Sequence, residues 1–143
     1  MKILVLNGPN LNMVGIREKN VYGEESFESL IQMIEKHCKE NNVEVICEQS
    51  NHEGDLVDWI QQAYFEKMDG IVINPGAYTH TSIAIADAIS AIAPIPVVEV
   101  HISNIEERED FRKISYSAPY CIAQIKGEGL QGYLHAIDLL IKG

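Results

Sequence analysis

Positive charge is scarce. Lys and Arg number 11 against 21 Asp and Glu, giving a formal net charge of −10. That balance disfavours nucleic acid and anionic membranes as partners, because both reward surplus Lys and Arg. It leaves room for a small anion bound by local cations, and Arg17, Arg108 and Arg112 are the only three arginines available for that. Cysteine is also sparse. Cys38, Cys47 and Cys121 are odd in number and widely spaced, which excludes both a zinc-finger spacing and a paired disulfide framework and suits buried free thiols. No apolar run approaches the ~20 residues of a membrane helix. The N-terminal stretch Met1 to Leu6 is too short for a signal peptide and runs straight into Asn7-Gly8-Pro9, so it reads as the first strand of a cytoplasmic protein. Repeats and low-complexity segments are absent.

What is present is a core. Hydrophobic residues make up 46% of 143 residues, enough for a single domain over 1–143. Short runs rich in Val and Ile predict strands at 2–7, 43–48, 70–74, 96–102 and 121–125, alternating with helices over about 25–41, 54–68, 79–92, 104–113 and 129–142. Ser26 and Ser29 mark the first helix start, Asn41-Asn42 its end, and Asn104 with Glu107 has the spacing of a capping box. Leu130, Leu134, Ile137 and Ile141 form a helical stripe in the last helix. Five βα units in series predict an α/β three-layer flavodoxin-like fold, with a five-stranded parallel sheet of order 2-1-3-4-5. Such sheets bind ligands beyond the carboxyl ends of their strands, here at the loops after strands 1, 3 and 4.

Those loops carry chemistry. The first, residues 7–23, is long for a βα connection and holds Asn7, Asn10, Asn12, Arg17 and Tyr22. Long ordered connections are usually binding loops or lids, although Asn is also favoured in plain turns. The second, "INPGAYTHTS", joins Asn74 and His80 around a Pro-Gly turn at a helix start, with Thr79 or Thr81 as a capping residue. The third follows "VEVHIS". Strand alternation sends Val98, Val100 and Ile102 to one face and Glu99, His101 and Ser103 to the other. A carboxylate two residues from an imidazole on one face can fix its tautomer and favour its protonated form, leaving the second ring nitrogen to exchange a proton. Ser103 and the amides at the next helix start can hold an anion. Arg112 lies in that helical stretch, with Arg108 one turn earlier.

Familiar nucleotide sites are missing: there is no Gly-Lys-Ser/Thr phosphate loop and no Gly-x-Gly-x-x-Gly. Asn74 stands where a receiver domain would carry a phospho-accepting Asp. His80 and His101 lack partners at metal spacing, which predicts no metal. His37 and His135 read as structural or solvated, and His52 is left unassigned.

The stretches "GPNLN", "GIRE", "VYG", "SNHEGDLVDWI", "INPGAYTHTSIAIADAI", "EVHISN", "REDFRKISY" and "GLQGY" resemble type II 3-dehydroquinate dehydratase in order and spacing over nearly the whole chain. Met13-Val14 stand where that family usually has two leucines, and Lys19 where a proline is common. The resemblance implies reversible dehydration of 3-dehydroquinate to 3-dehydroshikimate, a shikimate-pathway step of aromatic amino acid biosynthesis, without cofactor. It implies Tyr22 as base, Arg17 as its electrostatic activator, His101 as general acid oriented by Glu99, and Asn10 as holder of a water at the developing enolate. Asn74, His80, Ser103 and Arg112, with the amides of Ile102 and Ser103, are implied to clamp substrate. Asp87 is implied to reach a neighbouring subunit's site in a homododecamer, a tetramer of trimers. The chemistry is consistent: elimination beside a ketone needs a base, a stabilised enolate and an acid for the leaving oxygen. Tyrosine, with an ordinary pKa of about 10, needs a nearby cation to serve as a base at neutral pH. A Schiff-base route would need a lysine, and Lys19 is the only one in the three loops. Two rival readings remain at this stage, a noncatalytic anion-binding module and a structural oligomer. Neither needs the Arg17–Tyr22 pair.

Overall fold

The computed structural model describes residues 1–16 and 25–143. Its strands are β1 (Lys2–Asn7), β2 (Glu44–Gln49), β3 (Gly70–Asn74), β4 (Val97–His101) and β5 (Ala123–Lys126). All pair in parallel, in the order β2-β1-β3-β4-β5. The helices are α1 (Phe27–Glu40), α2 (Glu53–Phe65), α3 (Ile83–Ala91) and α4 (Gln131–Lys142).

Alternation along the central strands builds the three layers. Ile3, Val5, Val72, Val98 and Val100 pack with Leu30 and Ile34 of α1 and Ile137 and Leu140 of α4. Leu4, Leu6, Ile71, Ile73 and Val97 face the other way, onto Leu56 and Ile60 of α2 and Ile85 and Ile89 of α3. Strands β1 and β3 are therefore apolar on both faces up to their terminal Asn7 and Asn74, which is why they read as near-continuous hydrophobic runs, whereas β4 interrupts its α2–α3 face with Glu99 and His101. Helix α1 starts in a reciprocal cap: Ser29 N–H donates to Ser26 Oγ at 3.1 Å, and Ser26 N–H to Ser29 Oγ at 2.8 Å.

The predicted arrangement holds, with corrections. Residues 104–113 do not form an α-helix. They make two short 3-10 turns, Ile105–Glu107 and Asp110–Arg112. Asn104 caps the first through Glu106 N–H at 3.0 Å, not through a box with Glu107. The reason is lack of an inner face: Ile105 is buried, Phe111 is exposed, and acids crowd between them. A helix without an apolar stripe has little to dock against the sheet. The amides after β4 thus gain no helix macrodipole for an anion. The third helix also starts later than expected. Residues Gly76–His80 form a 3-10 turn, and the cap of α3 is Ser82, which accepts from Ile85 N–H at 2.9 Å, rather than Thr79 or Thr81. In α4 the inward stripe is Tyr133, Ala136, Ile137 and Leu140, continued by the buried Leu130 at its N-cap, with Leu134 and Ile141 only half-buried.

Candidate active site

The crevice that this strand order creates lies beyond β1, β3 and β4, where the crossover direction reverses between β1 and β3. The first two loops are locked together there. Gly8 N–H donates to the Asn74 carbonyl at 2.7 Å. A Cβ on Gly8 would stand 2.5 Å from the Pro75 carbonyl oxygen, so only glycine allows this approach. Asn10 follows in left-handed geometry at φ 69°, which Asn tolerates better than most residues. Its backbone N–H is held by Asn51 Oδ1 at 3.0 Å, and Tyr78 Oη donates to the Asn51 carbonyl at 2.8 Å. The loop after β2, unassigned from sequence, therefore braces the loop after β1. His52 sits at the α2 start without capping through its side chain.

Glu99 and His101 point toward the α2–α3 layer, opposite Val98 and Val100, as alternation requires. The His101 Nε2–H donates to Glu99 Oε2 at 2.9 Å, and both residues are buried. Four further donors surround the carboxylate. Gln124 Nε2 lies 2.8 Å from Oε2, Ser115 Oγ 2.8 Å from Oε2, and Thr79 Oγ1 3.3 Å from Oε1, while Ser117 Oγ also donates to Oε1. Burial by itself would raise the Glu99 pKa. The hydrogen bond and charge of His101, with bonds from Ser117 and Gln124, outweigh it and hold the pKa down to about 2. Glu99 is thus an anion at neutral pH that fixes the His101 tautomer and leaves Nδ1 free of it. Nearby Cys121 is no nucleophile: burial, then the Glu99 charge, push its thiol up to about 12.

Ser103 lies past the end of β4, exposed, and lines an open cleft of about 740 Å³ with Asn10, Ile102, Asn104, Glu107 and Arg108. The backbone N–H groups of Ile102 and Ser103 donate to no group among the described residues. His80 ends the turn after β3 and does not line that cleft, its Nδ1–H donating to the Ile114 carbonyl at 2.7 Å. Arg112 is half-buried, paired with Glu109 and 5.0 Å above the Phe111 ring. Among the described arginines it is Arg108, not Arg112, that lines the cleft. Asp87 is exposed on α3. Arg17 and Tyr22 lie outside the described residues. The structure thus joins Asn10, Ile102 and Ser103 in one cleft and Glu99 with His101 in one pair, while Asn74, His80, Arg112 and Asp87 do not line that cleft. Sequence reasoning missed Ser115, Ser117 and Gln124, although a Gln inside a five-residue β pattern was a usable signal. It also missed the buried Tyr133, which bonds to both Asn7 and Asn74.

Comparison with known proteins gives the lineage. The family described as "Dehydroquinase class II" matches residues 1–141. A 3-dehydroquinate dehydratase of Lachnospira eligens is 53% identical over 99% of this chain and 96% of its own. The crystal structure of type II dehydroquinase from Butyrivibrio crossotus superposes with a TM-score of 0.95 at 61% identity, covering 99% of this chain and 97% of that one. The enzyme of the same description from Propionibacterium acnes gives 0.92 at 39% identity, covering 99% and 97%. The chain therefore belongs to the class II dehydroquinase family.

Proposed function

We propose that the protein is a hydro-lyase that reversibly dehydrates 3-dehydroquinate to 3-dehydroshikimate, by anti elimination through an enolate, in the shikimate pathway. Its near-full-length membership of the dehydroquinases, with relatives bearing that activity in their names, carries the reading. The buried Glu99–His101 pair supports it chemically.

In this mechanism the Tyr22 phenolate, with Arg17 beside it, takes a proton from the carbon next to the ketone. The C–H electrons move into the enolate, whose oxygen is stabilised through a water held by Asn10. As the enolate re-forms the ketone, the C–O bond to the leaving hydroxyl breaks. His101 gives its proton to that oxygen, so water departs and a conjugated double bond remains. Glu99 orients the ring through the Nε2–H bond, so that Nδ1 faces away from the carboxylate to give and recover the proton. The substrate carboxylate is assigned to Ser103 and the amides of Ile102 and Ser103, which donate to no group among the described residues, and Asn74, His80 and Arg112 complete the substrate clamp. Asp87 acts across a subunit contact, in a homododecamer of trimers. Its exposure on α3 is compatible with that role. The unpaired thiols suit a cytoplasmic setting, and among the described residues no helix is long and apolar enough to cross a membrane.

The test is ultraviolet absorbance on adding 3-dehydroquinate to purified protein, since the conjugated product absorbs and the substrate does not. A rise unaffected by chelator or borohydride is expected. A rise abolished by borohydride would indicate a lysine imine and overturn the enolate route. No rise from a folded protein would overturn the activity.

A further inference from the structure

Asn7 ends β1 and Asn74 ends β3, and the two face each other in register. Both turn toward the α1–α4 layer, on the same face as Val5 and Val72. There they meet one hydroxyl. Tyr133, on the first turn of α4, is fully buried with its ring in the apolar cluster. Its Oη donates to Asn7 Oδ1 at 2.5 Å and accepts from Asn74 Nδ2 at 2.8 Å.

We propose that Tyr133 is a positioning residue for substrate binding: through its hydroxyl it sets the orientation of the Asn74 side chain and the separation of the loops after β1 and β3. This rests on the dehydratase reading, in which Asn74 contacts substrate. The geometry argues for a task beyond filling space. A phenylalanine would fill the same apolar volume without a polar atom to satisfy, and burying a hydroxyl gains stability only through well-made partners. Those partners are one side chain from each of β1 and β3, the two strands between which the crossover direction reverses. With Nδ2 tied to Tyr133 and Oδ1 accepting from Gly76 N–H at 3.0 Å, the Asn74 amide plane cannot rotate. Its second N–H and second oxygen lone pair are left at one fixed orientation. Asn10, three residues beyond Asn7, inherits the position of the same strand end.

The experiment compares Tyr133→Phe with wild type in steady-state turnover of 3-dehydroquinate, alongside thermal unfolding. The expected result is a KM raised about tenfold, the weight of roughly one hydrogen bond, with kcat less affected. Unchanged KM and kcat with a lowered thermal midpoint would make the hydroxyl purely structural and overturn the proposal. If Tyr133→Phe does not fold, Asn7→Ser removes the hydroxyl's acceptor while keeping the ring. Unchanged KM in that variant would overturn the proposal equally, and a raised KM would support it. Wild-type turnover in the same assay separates the two ideas: absence of turnover removes the dehydratase reading and this proposal with it, whereas normal wild-type turnover with unaltered variants removes this proposal alone.

Discussion

The His101 imidazole donates to Glu99 from 2.9 Å along one face of β4, and the two are held on opposite terms. Glu99 has Ser115, Ser117, Gln124 and Thr79 as further donors, whereas His101 has Glu99 as its side-chain partner. Removing the imidazole therefore leaves the carboxylate satisfied. In His101→Ala, folding and assembly should persist by circular dichroism and sizing while turnover falls by roughly 10²–10⁴, the usual contribution of one general acid. Near-normal turnover would show that another group protonates the leaving oxygen.

Glu99 also ties stability to pH. Its carboxyl titrates near 2 in the folded protein against 4.5 for the ordinary group. A depressed acid contributes stability that is fully present above the unfolded value and is lost as pH falls through the folded one. The contribution is on the order of 3 kcal/mol by this difference. It should be complete above about pH 4.5 and vanish toward about pH 2. In Glu99→Gln, an amide N–H would face the donors that now converge on an anion. Urea unfolding should show that variant weaker at neutral pH and flatter through the acid window. A variant with the wild-type slope between those pH values would locate the acid sensitivity in another group.

Tyr22→Phe separates the two ends of the mechanism. It deletes the proposed base and leaves the Glu99–His101 pair untouched, so the product rise should disappear. Binding of the product, followed by calorimetry, should survive within about tenfold, the weight of a single hydrogen bond. Retained turnover would move the base to another residue.

The sheet order was legible because β1, β3 and β4 are Val- and Ile-rich runs at βα spacing, and the Glu99–His101 pair because a strand's period of two is rigid. Residues 104–113 misled for a physical reason. Asn104 signals a cap, and the acids that follow it suit a helix N-terminus, but a cap starts a turn without supplying the apolar face that would extend it. Arg108 and Arg112, set on one helical face by that expectation, part company in the 3-10 geometry, and Arg108 takes the cleft wall. Tyr133 was hidden for another reason. An aromatic on an apolar helical stripe looks like core, and its ring is core. What its hydroxyl meets depends on Asn7 and Asn74, 126 and 59 residues away, and no local pattern encodes that.

Glycine 8 tests whether the two-loop clamp matters in itself. A methyl there would meet Pro75 O at 2.5 Å and Pro75 C at 2.7 Å, both backbone atoms that cannot swing aside. Gly8→Ala must push the loop after β1 off the loop after β3, stretching the 2.7 Å bond from Gly8 N–H to the Asn74 carbonyl. Overpacking of this kind costs about 1–3 kcal/mol. The displacement also runs directly into Asn10 and Asn74, so kcat/KM should fall along with stability. The control is Gly54→Ala, inside α2, where an added Cβ meets nothing within 4 Å. That change should stabilise by up to about 1 kcal/mol, since alanine loses less backbone entropy in a helix, and should leave turnover alone. The same added methyl is thus expected to have opposite signs at the two sites, read by chemical unfolding and the absorbance assay together. Equal behaviour would mean that the loops after β1 and β3 can part without consequence for the site.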